Sequence, residues 1–372
     1  MNKLSCIAIL ALLSFLPATA KDKADIKVIP AAEDFDAINN GIIYSLPQTI
    51  IRVRIEAELT IQKAGPFYKY SNRYLNLNNV IIEDSKKWSI KSASIETYGK
   101  ADMKKRFKVV ATNSTLPAIV LSTDNTIVGV NARERVKREC DETVFDKDEE
   151  LTFDDVRLDK SILTKTSSAA MAEETAVMIY KLREKRMMLL GGDEATILHD
   201  EGSYKQVLAQ IEKQENDLVS LFAGREKKIK VVKYFDITPE SASSNGNVLL
   251  RFSEKDGFLD VMDLSGKPVY VDIAFNEPPR INEYGAQSKQ RKAAPLYGLR
   301  YIIPGSINVK IIDRNILLTE KNILCTQNGQ VATLPADMLA DKDVSILFDN
   351  ATGAIKQIKY NNESNKAKWE KK

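Results

Sequence analysis

The sequence predicts an α+β protein that is mainly β, with two antiparallel β-rich domains and a central helical hairpin insertion. Three observations predict it. Ile51, Val53, Ile55, Ala57, Leu59 and Ile61 share one parity, while Arg52, Arg54, Glu56, Glu58 and Thr60 share the other. That alternation makes a long strand with one buried and one wet face. Two central stretches, 167–192 and 202–226, instead repeat apolar residues at helical spacing. After residue 227, β-branched runs return, with turn pairs at Asn245-Gly246, Ser265-Gly266 and Asn328-Gly329.

Taken in order, residues 1–20 read as a secretory signal peptide. Lys3 precedes an apolar run from Leu4 to Leu16, and Ala18-Thr19-Ala20 follows Pro17. The run is too short for a helix to cross about 30 Å of hydrocarbon, so cleavage after Ala20 is the expectation. No later segment reaches the length of an apolar membrane helix, and no membrane span is expected after cleavage.

The N-terminal β-rich domain is expected over 21–155. Further strands are read at 79–84, 88–99, 107–112 and 118–131, the last as a hairpin turning at Asp124-Asn125. Between Arg133 and Glu150, 13 of 18 residues are charged, which reads as a solvated connection leading to a short strand at 150–158. The helical hairpin is expected over 156–226. Ser167 or Ser168 caps the first helix, and Ala172, Ala176, Ile179, Leu182, Arg186 and Leu189 recur along it before Gly191-Gly192. The second helix carries Tyr204, Val207, Leu208, Ile211, Leu218, Leu221 and Phe222 on one stripe and stops at Gly224. Such a hairpin either projects from the β body or packs flat on it. The C-terminal β-rich domain is expected over 227–360, with a polar loop at 278–295 and a frayed tail at 361–372.

The formal charge is +3 with 44% hydrophobic residues, so no nucleic-acid footprint is indicated. Apart from Cys6 in the leader, the cysteines are Cys140 and Cys325, read as two buried thiols or one bridge. With one histidine, a structural zinc site lacks ligands. That histidine, His199, is flanked by Asp200 and Glu201, and the position fits a solvated loop or helix cap better than acid–base chemistry. Asp146, Asp148 and Glu150 resemble a calcium loop only faintly, without its glycine. No phosphate-loop, dinucleotide or nucleophile-elbow motif occurs, so no cofactor and no catalytic residue is expected. A hydrolase using two carboxylates would need a cleft that the sequence does not display.

The densest aromatic stretch is 64–77, AGPFYKYSNRYLNL. Phe67, Tyr70, Tyr74 and Leu77 fall on one face of a short helix, which favours packing against the sheet, while Tyr68 points elsewhere. A glycan platform is the competing reading, with Tyr68 and Tyr70 as its ligand-binding residues.

Four segments carry a resemblance: residues 44–75, residues 167–192, QIEKQENDLVSLFAG, and LRYIIPGSINVKI followed by QNGQVATLPA. Together they resemble domain-of-unknown-function family 4831, a group of exported proteins of Gram-negative gut and oral bacteria. The resemblance implies an exported location, in the periplasm or outer envelope. It implies no activity and carries over no site residue. The expected role is therefore a non-enzymatic binding or interaction protein using its β body and hairpin, with an unknown protein partner or a glycan. The alternative is a carbohydrate-binding accessory protein of glycan uptake.

Overall fold

The computed structural model describes residues 26–31, 41–111, 117–132, 150–191, 201–240, 242–278 and 298–360. The leader, Cys140, His199, residues 279–297 (all but the first residue of the loop expected at 278–295) and the residues from 361 lie outside the described residues.

Three antiparallel sheets carry most of the chain. The first is ordered β1 (Ile26–Pro30), β3 (Ser85–Ala111), β2 (Ile42–Lys63) and β6 (Arg225–Ile237). The second is ordered β11 (Ile316–Leu334), β10 (Leu299–Asp313), β9 (Lys267–Phe275), β7 (Ser244–Ser253) and β8 (Gly257–Leu259). The third is β13 (Ile355–Tyr360), β12 (Val344–Phe348), β5 (Ile127–Val130) and β4 (Ile119–Leu121). The sheets are shared across the helical hairpin. The strand that follows it, β6, returns to pair with β2, and the last two strands join β4 and β5.

The alternation in β2 does what it predicts. Ile51, Val53, Ile55 and Ala57 are fully buried and meet Val269, Val271, Ile307, Val309 and Ile311 of the second sheet, which makes a sandwich core. The same strand, 22 residues long, continues into a second core. There Tyr44 and Leu46 pack with Val130, Ile302, Leu334, Ile346 and Phe348. Pro47, which has no N–H to donate, sits where the β2–β3 register shifts between Ser45 and Pro47. A buried polar joint ties the first sheet to β11. Thr49 N–H donates to Thr326 Oγ1 at 2.8 Å, Thr326 N–H donates back to Thr49 Oγ1 at 3.1 Å, and Gln327 Nε2 donates to Thr49 O at 2.9 Å. These bonds satisfy groups that burial would otherwise leave orphaned.

Several local expectations change. The runs at 88–99 and 107–111 are one strand, β3, and residue 112 lies outside the described residues. Residues 79–84 are not a strand: Ile81 N–H is taken by Ala223 O at 2.9 Å, so the segment is held against a helix end rather than in a ladder. Residues 150–158 are irregular for a similar reason. Arg225 binds Thr152 O and Asp155 and lies 5.0 Å from the centre of the Phe153 ring, which folds the segment over the start of β6. Asn328-Gly329 does not turn the chain. It lies inside β11, opposite the β10 register shift, where Gly305 gives room to Asn328 O.

Short helices α1 (Ser71–Leu75) and α2 (Lys160–Leu163) precede the hairpin, and α5 (Ala336–Ala340) follows β11. The hairpin itself is α3 (Ser168–Leu190) and α4 (Glu201–Ala223). Ser167 caps α3, its Oγ accepting from Ala170 N–H at 3.2 Å. Gly224 at φ +85 ends α4 in the left-handed region, and α3 ends at Leu190, before Gly191, as expected, with Gly191 itself right-handed. Among the described residues no helix is long and apolar enough to cross a membrane.

Candidate functional site

The aromatic stretch at 64–77 forms a single 3-10 turn, Tyr68–Tyr70, running into α1. Its partner is the helical hairpin and not the sheet, which corrects the expectation. Phe67 is buried with its ring 5.5 Å from that of Phe222, and Leu75 joins the same core as Ala172, Ala176, Ile179, Leu182, Leu218 and Leu221. The reason is the end of α4. The last carbonyls of a helix have no partner inside it. Phe67 N–H donates to Leu221 O at 2.9 Å, and Ile81 N–H donates to Ala223 O. The chain can come this close because residue 65 is glycine: a Cβ there would stand 2.2 Å from Leu221 O. The segment is therefore a clamp on the base of the hairpin.

The two tyrosines singled out from the sequence take different places. Tyr70 is partly buried against the hairpin core and pairs with Tyr74, ring centres 6.2 Å apart. Tyr68 stays partly exposed, with Lys69 Nζ 5.7 Å from its ring centre. The fold adds residues that sequence distance hides. Tyr180 of α3 donates its hydroxyl to Tyr74 O at 2.9 Å, Arg183 lies 5.6 Å over the Tyr180 ring, and Arg73 lies 5.3 Å over Tyr74.

Above this base the hairpin is held by one acid. Glu215 is largely buried and takes Arg183 Nε at 2.7 Å and Arg186 Nη1 at 3.0 Å. Tyr204 donates to Leu189 O at 3.1 Å further along, so the two helices run antiparallel. Beyond Glu215 apolar side chains face outward: Met187 is 67% exposed, Met188 51%, Leu190 59% and Val207 38%. Beside the base, a groove of about 540 Å³ runs between 155–159 and the helices, with Val156, Met178 and Leu218 in its lining.

A second polar array lies on the wet face of the first sheet. Arg52 binds both oxygens of Asp236, at 2.8 and 2.9 Å, and Tyr98 donates to Asp236 at 2.9 Å. The Arg52 guanidinium lies 4.7 Å from the Tyr98 ring centre and 5.7 Å from that of Tyr234. The hydrogen bonds from Arg52 hold the Asp236 carboxyl below its ordinary range. Arg52 lies on the polar parity of β2 read from the sequence, and only pairing across β3, β2 and β6 brings Tyr98, Tyr234 and Asp236 to it.

Cys325 is buried, with Sγ 2.9 Å from Gln327 Oε1, and burial pushes its thiol up, away from the reactive thiolate. Glu150 is exposed, and Asp146 and Asp148 lie outside the described residues. Among the described residues no three His, Cys, Asp or Glu side chains gather to hold a metal.

No curated protein matches the chain, and no solved structure matches it. The model of a domain of unknown function, DUF4831, matches residues 40–356, which is most of the chain. It takes in the clamp, the hairpin and every strand except β1 and most of β13, and the chain belongs to this DUF4831 family.

Proposed function

We propose that this chain is a non-enzymatic, exported protein of the cell envelope that binds a partner protein through its helical hairpin. One observation carries the reading. The hairpin has its own core at the base, independent of the sandwich, while its distal half keeps Met187, Met188, Leu190 and Val207 in contact with solvent. Methionine is unbranched and adapts to irregular partner surfaces. Exposed apolar groups gathered at one end of an arm lower solubility without adding to the core, which fits a recognition surface. The test is in-cell cross-linking of the tagged protein followed by mass spectrometry. It is run beside a variant in which residues 187–208 are replaced by a short Gly-Ser turn. Capture of one dominant partner by the parent and its loss in the variant is the expected result. Equal capture by both refutes the assignment to the hairpin.

A glycan is the second reading, favoured by Tyr68, which is partly exposed beside Lys69 and the exposed Asn72. Tyr68→Ala then abolishes binding to an envelope or dietary polysaccharide without lowering the melting temperature. Tyr70→Ala lowers both, because Tyr70 also packs on the hairpin core. Polysaccharide binding that survives both changes removes this site.

A further inference from the structure

We infer that the outer face of α3 is a docking surface for the α3 of a second copy of this chain. The inference rests on the reading of the hairpin as an interaction element and names one of its partners. The residues are Val177, Lys181, Glu184 and Met188. They stand at i, i+4, i+7 and i+11, so they share one face of the helix over about 16 Å. The buried side of α3, with Ala172, Thr175, Ala176, Ile179 and Leu182, is the opposite face. Val177 is 42% and Met188 51% exposed, and Lys181 and Glu184 are exposed as well. Neither Lys181 nor Glu184 is in an ion pair among the described residues. The neighbouring Arg183 and Arg186 are both engaged with Glu215.

The order of these four residues selects the occupant. Read along the helix they are apolar, basic, acidic, apolar, at spacings of four, three and four. An antiparallel copy related by a two-fold axis between Lys181 and Glu184 sets Val177 against Met188 of the partner copy. It also sets Lys181 against the other copy's Glu184, and each contact occurs twice. A parallel copy would set lysine on lysine and glutamate on glutamate. A surface that is complementary to itself in one direction only is what an isologous dimer needs. Each β body adjoins the end of the hairpin formed by the start of α3 and the end of α4, held by the 64–81 clamp. Two antiparallel α3 helices therefore place the bodies at opposite ends. Four residues per copy make a small seam, so the dimer is a weak and reversible one.

The test is sedimentation velocity on the full chain purified from cells, over a range of micromolar concentrations, with Lys181→Glu, Glu184→Lys and the double exchange. All the altered side chains are exposed, and a melting curve confirms that each variant is folded. The parent is expected to show a concentration-dependent monomer–dimer equilibrium. Each single reversal changes two symmetry-related pairs at once and weakens the dimer by about tenfold or more. The double exchange restores it, because opposite charges again face each other across the two-fold axis, with their places swapped. A parent that stays monomeric, a dimer indifferent to the single reversals, or a double exchange that fails to recover overturns the inference. A monomeric parent that still captures a cellular protein through the hairpin sinks the second copy alone. A dimer whose hairpin-shortened form still captures that protein sinks the earlier reading instead.

Discussion

The two halves of the helical hairpin are built from the same helices and do opposite things. At the base, Ala172, Ala176, Ile179, Leu218 and Phe222 are buried against a clamp that closes the end of α4. Past Glu215, the same helices turn Met187, Met188 and Val207 to solvent. The contrast separates, within one element, the part that carries the core from the part that the proposed function assigns to recognition. Core burial is concentrated on the base side of the Glu215 ion pairs, although the outer face of α3 exposes Val177 and Tyr180 there, and beyond the pairs Met187, Met188, Leu190 and Val207 are all exposed.

Substitutions separate the halves by size of effect. Phe222→Ala removes a fully buried ring that touches Phe67. It is expected to cost about 3–5 kcal/mol in urea unfolding and to detach the clamp. Glu215→Ala leaves Arg183 and Arg186 without their acid, but both are about one-third exposed and rehydrate. A loss of about 2 kcal/mol is expected, read as a lower urea midpoint. Met188→Ala, in the distal half, is expected to move stability by less than about 0.5 kcal/mol. A large loss there would erase the distinction between the halves.

A pH titration sets the hairpin apart from the sheet. Asp236 has its folded-state carboxyl held below the ordinary value by Arg52, so its stabilisation is present above the unfolded pKa. It is lost as pH falls through the lower folded value, below about 4. The carboxylate is 40% exposed, so solvent screening keeps the effect well under about 1 kcal/mol. Asp236→Asn should flatten this part of the acid limb of a stability–pH curve and leave the hairpin's own unfolding unchanged.

Much of this was legible in the residues. The alternation of β2, the two helices, the Ser167 cap and the turn at Asp124-Asn125 all follow from local spacing. What spacing could not show is partnership. Phe67, Tyr70 and Tyr74 announce an apolar face, but whether a sheet or a helix pair receives it depends on Leu221 O and Ala223 O, which lie far along the chain. Residues 79–84 look like a strand because Val80, Ile81 and Ile82 are β-branched. They are instead drawn to the same helix end. The Arg52–Asp236–Tyr98 array required the register of three strands. In the candidate site, Tyr68 and Tyr70 were visible as aromatic neighbours, while their unlike surroundings were not.

Methionine footprinting with peroxide, in cells and on the purified protein, tests the contrast between the two halves without altering the chain. Met187, Met188 and Met262 are 67%, 51% and 84% exposed, so all three oxidise readily in dilute purified protein. If the distal hairpin is a recognition surface, Met187 and Met188 are protected in cells while Met262 on the β8–β9 turn is not. Oxidation of all three to the same extent in both settings would contradict it.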